Sequence, residues 1–240
     1  MSLRAIVFDF DGVVLESADL KTEAFIELFA HHGAAVTRQV KAHHLANLGI
    51  SRFKKFEWIY ANILQQPLSD AQSQALGEQF SALALDKILA APFVPGAREA
   101  LQTLTEQLPL FVASGTPQAE LDLIVERRGL RDHFREVWGT PTEKPVILRD
   151  LMSRFGLAAD EMLFIGDGLS DYKAAHAVGT GFLARDTAAL GEMWRSKAVR
   201  RSSDLRTLPA IIESWLSDWQ GEWPGVGYDR LSSIRLGDIA

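Results

Sequence analysis

The stretch "AIVFDFDGVVLES" holds two aspartates, Asp9 and Asp11, separated by one phenylalanine. A carboxylate at the end of a buried strand is costly to ionise unless a cation, a proton or a substrate uses it. Three further places set reactive side chains just past an apolar run. Ser114, Gly115 and Thr116 follow "LFVA", Lys144 lies in "GTPTEKP", and Asp167 and Asp171 lie in "GDGLSD". Singly, each has a plain structural explanation. Asp and Gly favour turns, Ser-Gly-Thr-Pro suits a helix entry, a lysine before proline is normally solvated, and an aspartate before a helix caps it. Together, a set of acids with one ammonium and two hydroxyls suits a hard divalent cation, Mg²⁺, and a phosphoryl group. Zinc is disfavoured, because the chain has no cysteine and none of these loops holds a histidine.

The elements that must position these groups follow from periodicity. Residues 3–8 form a near-continuous apolar run, as in a strand buried on both faces of a parallel sheet. The period then becomes helical. Leu20, Ala24 and Leu28 recur with Phe25 and Phe29 beside them, and Gly33 is expected to end that helix. Phe53, Phe56, Ile59 and Ile63 mark another helix, broken at Pro67, and Ser69 with Gln72 reads as a capping box opening a third. Between 17 and 90 no convincing strand is found, so this segment reads as a helical insertion. "APFVPG" at 91–96 is punctuation fit for a hinge.

Strands and helices alternate from there. Strands are expected at 108–114, 135–139, 161–167 and 181–184. Helices are expected between them and at 207–216, with Pro117 opening one and Gly156 ending another. Such alternation implies βα units around a parallel sheet, an α/β fold. In such sheets ligands bind outside the carboxyl ends of the strands, where all the reactive groups above fall. The expected division is a core of 1–16 and 92–218, a helical domain of 17–91, and a C-terminal extension of 219–240 holding Trp219 and Trp223.

Composition narrows the function classes. The chain has 240 residues, a net charge of −6 and a pI near 5.5, with 47% hydrophobic and 23% charged residues. A mildly acidic chain of this kind is not expected to bind nucleic acid or an anionic membrane. The lack of cysteine excludes disulfides, thiolate metal sites and cysteine nucleophiles, and suits a cytoplasmic setting. No apolar run approaches the roughly 18 residues of a membrane span, and "MSLRAIVFDFDG" does not read as a signal peptide. The oligomeric state is left open.

With these motifs in this order, the sequence resembles the haloacid dehalogenase-like hydrolase superfamily, in particular its phosphoglycolate phosphatase and β-phosphoglucomutase branch. "DFDGVVLES" resembles the first motif of the family, Ser114 in "VASGTP" the second, Lys144 in "EKP" the third and "GDGLSD" the fourth. The resemblance implies a Rossmann-like three-layer core with an all-helical cap inserted after the first strand. It assigns Asp9 as the nucleophile that forms an aspartyl phosphate and Asp11 as the general acid and base. A neutral Asp11 requires a raised pKa, which crowded carboxylates would supply. Mg²⁺ would be held by the carboxylates of Asp9 and Asp167 and the backbone carbonyl of Asp11, with Asp171 bracing a bound water or Lys144. Ser114 and Lys144 would hold phosphoryl oxygens, joined by the amides of Gly115 and Thr116 at a helix start.

The expected partner is a small phosphorylated metabolite. Within the cap, "LGISR" resembles a loop whose arginine contacts substrate phosphate, which makes Arg52 a substrate-binding candidate. Lys21, His43, His44, Lys54, Lys55 and Lys87 are the other polar candidates, and the adjacent His43 and His44 must face different directions on a helix. Asp11 favours phosphate-ester chemistry, since by resemblance dehalogenases and phosphonate-cleaving members lack an acid there. Lys21 stands where phosphoglucomutase-like members carry a histidine. The expected function is therefore a Mg²⁺-dependent phosphatase. A β-phosphoglucomutase-like phosphomutase is the alternative, and a non-catalytic phospho-ligand-binding protein ranks third.

Overall fold

The computed structural model describes residues 3–187, 190–195 and 197–217; the extension at 219–240 lies outside them. Six strands form one parallel sheet: β1 (Ala5–Phe8), β2 (Leu110–Pro117), β3 (Glu136–Thr140), β4 (Met162–Gly166), β5 (Gly181–Arg185) and β6 (Arg200–Ser202). Their order, β3-β2-β1-β4-β5-β6, reverses direction beside β1. That reversal opens a crevice at the carboxyl ends of β1 and β4, the place where such sheets bind ligands.

The unbroken apolar run of β1 is explained by the register. Ile6 pairs with both Leu110 and Leu163, so β1 is central. Ile6 and Phe8 feed the hydrophobic cluster on one face, and Ala5 and Val7 feed the other. The core helices cover both faces: α5 (Ala97–Thr105), α6 (Gln118–Arg127), α7 (Lys144–Phe155), α8 (Leu169–Val178), α9 (Gly191–Arg195) and α10 (Leu208–Ser217). Helices α5, α6 and α10 pack on the first face, and α7 and α8 on the second, giving the three layers of a Rossmann-like fold.

Between β1 and α5 the chain builds a helical lobe from α1 (Ala18–Leu28), α2 (Ala34–Ala46), α3 (Arg52–Ile59) and α4 (Asp70–Ala90). Its interior is a group of aromatic rings, with Phe25 centred 4.7 Å from Phe80 and 5.7 Å from Phe56. Ser69 and Gln72 cap α4 reciprocally, as their spacing predicts.

The structure differs from the sequence pattern in four places. Helix α1 stops at Leu28 rather than Gly33; a short 3₁₀ turn follows, and Gly33, at φ 88°, starts α2 instead. The helix of Phe53 and Phe56 gives way to a π turn over Tyr60–Leu64. Strand β2 runs on past Ser114 to Pro117, because Pro117 still pairs with Thr140 beyond an irregularity in the ladder. Strand β6 is polar and lies at the sheet edge, so no apolar alternation announces it.

Lobe and core meet through a buried ion pair. Arg52 on α3 donates two hydrogen bonds to Glu120 on α6, at 2.6 and 3.0 Å, and a third to Ser81 on α4. Ser81 in turn donates to Glu120 at 2.6 Å. Burial alone would raise the pKa of Glu120, but the hydrogen bonds and charge of Arg52, with Ser81, outweigh it and hold the carboxyl below its ordinary value. Removing one partner strands the other in a dry place. Glu120→Ala is expected to lower the unfolding free energy by about 3 kcal/mol at neutral pH, measured by urea denaturation. The double variant Arg52→Met/Glu120→Leu should recover most of that loss. Because the folded-state pKa of Glu120 is depressed, its contribution is present above the unfolded value and lost as pH falls through the folded one. The deficit of Glu120→Ala should therefore shrink on acidification.

Candidate active site

Asp9 follows directly on β1, and its amide donates to the carbonyl of Ile165 at 2.8 Å, which fixes it against β4. Its Oδ1 accepts the amide of Phe10 at 2.7 Å. Phe10 turns into the core and is fully buried, which leaves Asp9 and Asp11 on the same cleft. The intervening backbone folds back on itself: the amides of Val14 and Leu15 both reach the carbonyl of Phe10. Gly12 is required in this turn. Its φ is +76°, and a Cβ there would lie 2.1 Å from Oδ2 of Asp167.

Around Asp9 the charges are crowded. Lys144, at the start of α7, places Nζ 3.1 Å from Oδ2 of Asp9 and pairs closely with Oδ1 of Asp171 on α8. The other oxygen of Asp171 accepts the amide of Gly168 at 2.9 Å. Carboxylate oxygens of Asp9, Asp167 and Asp171 lie within 4.8 Å of one another, and all three residues are buried. Burial first, and then the negative charge of Asp171, raise the pKa of Asp9 against the pull of Lys144. Asp167 is raised for the same reason, by burial and then by Asp9 and Asp171. Burial opposes the charge of Lys144, but Asp171 and Asp9 overcome it and raise its pKa.

Asp11 has a different environment. Lys21 on α1 places Nζ 2.5 Å from its Oδ2, Thr116 donates to the same oxygen at 2.9 Å, and Ser17 donates to Oδ1 at 2.6 Å. Burial alone would raise this carboxyl, but Lys21, Ser17 and Thr116 outweigh it and hold the pKa below its ordinary value. The expectation of a raised pKa is thus corrected for this arrangement: the nearest charge to Asp11 is an ammonium. Ser114 continues the chain of contacts, its Oγ lying 3.3 Å from Oγ1 of Thr116 and accepting the amide of Thr116 at 3.2 Å. Gly115 and Thr116 do not open a helix, as expected from sequence, because β2 includes them and α6 begins only at Gln118.

The residues present fit a hard cation. The clustered donors are all carboxylate oxygens, and among the described residues no cation lies within ion-pair distance of Asp167. The cluster takes in Asp171, whose two oxygens are already engaged by Lys144 and Gly168; the carboxylate of Asp11 is not part of it.

On the lobe side, Arg52 borders the cleft with its guanidinium tied to Glu120. His44 is buried and lines the cleft, whereas His43 stacks on Trp58 with ring centroids 3.7 Å apart. Lys55 is also buried there, its Nζ 3.1 Å from Nδ1 of His44. Lys54 pairs with Glu143, an exposed contact between lobe and core. Lys87 lies 3.8 Å from Glu27 within the lobe. Sequence reasoning did not find the contact of Lys21 with Asp11, although its place one turn into the helix after the first motif was a usable signal. Nothing local marked Glu120.

Comparison with known proteins now bears on this geometry. A family model for haloacid dehalogenase-like hydrolases matches residues 3–179. The chain belongs to the haloacid dehalogenase-like hydrolases. Among this family's curated phosphatases, the phosphoglycolate phosphatase of Rhodospirillum rubrum is 26% identical, over 96% of this chain and 95% of that protein. These relatives make the chain a phosphoric monoester hydrolase of the haloacid dehalogenase-like family. A phosphonoacetaldehyde hydrolase-like protein from Oleispira antarctica shares the fold with a TM-score of 0.74 at 13% identity, covering 93% of this chain and 96% of that one. A β-phosphoglucomutase candidate from Bacteroides vulgatus does so with a TM-score of 0.72 at 17% identity, covering 90% of each.

If the carboxylate cluster holds a divalent cation, binding it should relieve the buried charge. Mg²⁺ is expected to raise the melting temperature of the wild type, and Asp167→Asn to abolish that shift. Without metal, Asp167→Asn should melt above the wild type, since it removes a buried carboxylate that lacks an ion pair. Differential scanning fluorimetry with and without MgCl₂ measures both.

Proposed function

We propose that this haloacid dehalogenase-like chain is a Mg²⁺-dependent phosphatase that hydrolyses a small phosphorylated metabolite through an aspartyl phosphate on Asp9. The observation that carries this reading is the contrast between two aspartates on one cleft: Asp9 beside Lys144, and Asp11 beside Lys21 and Thr116. Asp9 is held by the amide of Phe10 and by the anchored end of β1, so its carboxylate is positioned for in-line attack on phosphorus. Lys144 and Ser114 would bind the phosphoryl oxygens. A divalent cation held by Asp9 and Asp167, with the backbone carbonyl of Asp11, would neutralise charge on the phosphoryl group when bound.

In the first half-reaction an oxygen of Asp9 bonds to phosphorus while the bond to the ester oxygen breaks. The leaving alkoxide takes the proton that Lys21 donates to Oδ2 of Asp11, relayed through that oxygen, which leaves the Lys21 amine beside the Asp11 carboxylate. In the second half-reaction the Asp11 carboxylate removes a proton from water and passes it back to Lys21. That water attacks phosphorus, releasing phosphate and restoring Asp9. The ionised resting state of Asp11 suits this second half-reaction as it stands. Water as the final acceptor separates hydrolysis from phosphomutase action, in which the phosphoryl group passes to a second hydroxyl. Lys21, in place of the histidine of phosphoglucomutase-like members, supports hydrolysis. A cytoplasmic setting suits a chain without cysteine.

Steady-state release of inorganic phosphate from p-nitrophenyl phosphate tests the reading. Activity should disappear in EDTA and return with Mg²⁺. Asp9→Asn should abolish turnover, and Asp11→Asn should lower kcat by roughly 10² to 10⁴. Unchanged turnover in Asp9→Asn, or phosphoryl retention without phosphate release, would overturn it.

A further inference from the structure

A serine at the start of a helix ordinarily accepts an amide of the first turn. Ser17 stands in that place before α1, yet its side chain makes no such bond. Its hydroxyl donates to Oδ1 of Asp11 at 2.6 Å instead. One turn on, Lys21 of the same helix places Nζ 2.5 Å from Oδ2 of Asp11. The start of α1 therefore delivers both Ser17 and Lys21 to Asp11, and it does so without its usual cap. Another contact has to hold it in place.

Glu16, the residue before Ser17, supplies that hold. Its amide donates to the carbonyl of Pro92 at 2.9 Å, which joins the outgoing and returning connections between core and lobe. The same two connections meet again where the amide of Val94 donates to the carbonyl of Val14 at 3.0 Å. The Glu16 carboxylate accepts two hydrogen bonds from Arg185, the last residue of β5, at 2.6 and 3.0 Å and across 169 residues of chain. Two parallel bonds between planar groups fix orientation as well as distance. Arg185 is buried, its Nε has no hydrogen-bond partner, and among the described residues Glu16 is its one ion-pair partner. The end of β5 is thus the point of the sheet to which the start of α1 is fastened.

We propose that Arg185, through its pair with Glu16, is a positioning residue for proton transfer at Asp11. Arg185 acts at a distance from the reacting atoms. It fixes Glu16, Ser17 follows by one peptide bond, and Ser17 with Lys21 then sets both oxygens of Asp11. Small displacements of such groups are costly to a rate, because proton transfer requires hydrogen-bond reach in the transition state. This inference rests on the phosphatase reading, which gives Asp11 a proton to relay.

The test compares p-nitrophenyl phosphate with phenyl phosphate. The p-nitrophenolate ion leaves with little help from an acid, whereas the more basic phenolate depends on proton donation. The ratio of their kcat/KM values therefore reads proton delivery at Asp11 and is independent of the amount of folded enzyme. Arg185→Met is expected to lower kcat/KM for phenyl phosphate roughly tenfold more than for p-nitrophenyl phosphate, through kcat rather than KM. Arg185→Lys, which keeps a charge for Glu16 but not the planar fork, should recover part of the loss. In an Asp11→Asn background the ratio should no longer respond to Arg185→Met. Glu16→Gln, which keeps the shape of the pair, should shift the ratio in the same direction and carries the test if Arg185→Met does not fold. An equal loss for both esters, as a purely structural role would give, overturns the inference, as does a shift that persists without Asp11. Wild-type protein that releases phosphate from neither ester would defeat the phosphatase reading and this inference with it; active wild type with an unchanged ratio in the variants defeats this inference alone.

Discussion

Asp9, Asp167 and Asp171 converge at the carboxyl ends of β1 and β4 with almost no access to water, and like charges so placed repel strongly in a medium that screens them poorly. Much of the local architecture answers this repulsion. Lys144 is set between Asp9 and Asp171 by the start of α7. The amide of Gly168 is turned onto Asp171, and that of Phe10 onto Asp9. Gly12 keeps the space beside Asp167 clear. These contacts compensate Asp9 and Asp171 but leave Asp167 without a cationic partner among the described residues. The remaining imbalance is what makes the cluster suited to an added cation.

The helical lobe supplies the opposite sign. Its wall of the cleft carries Lys21, Arg52 and Lys55 against the carboxylates of the core wall. Attraction between the walls favours their contact, and the buried pair of Arg52 and Glu120 fixes the register of one on the other. The groups at the base of the cleft are buried, which strengthens the electrostatic interactions among them. The same packing determines which lobe cations are paired. An arginine clamped by a carboxylate positions the lobe, whereas Lys55 has no carboxylate within ion-pair distance among the described residues.

The sheet and the four site loops were legible in the sequence because each is local. An apolar run in which every residue is buried makes β1, and Ser69 with Gln72 makes a reciprocal cap, regardless of what packs elsewhere. The shared sheet edge then follows from parallel topology. Strand β6 was illegible because its residues are polar and its place depends on pairing with β5. The fate of Arg52 was illegible for a different reason: Glu120 lies 68 residues away, on an exposed-looking helix face that only the docked lobe buries. The pairing of Lys21 with Thr116 spans 95 residues and depends on β2 continuing beyond the point where its apolar pattern stops.

Asp9 and Asp11 are the same residue type, two positions apart in one turn, yet their surroundings push their pKa values in opposite directions. The sequence around them does not distinguish the two. Asp9 ends a strand at the centre of the sheet, so its neighbours are the ends of other strands and helices, which here carry more acids. Asp11 lies within the turn that runs from Phe10 to Leu15, where the chain is leaving the sheet for the lobe, so its neighbours come from α1 and the far end of β2. Phe10, drawn into the core, pins the backbone between these two environments. The contrast between two chemically identical groups therefore arises from the point at which the chain crosses from core to lobe, and that crossing is fixed by the burial of one phenylalanine and the conformational freedom of one glycine.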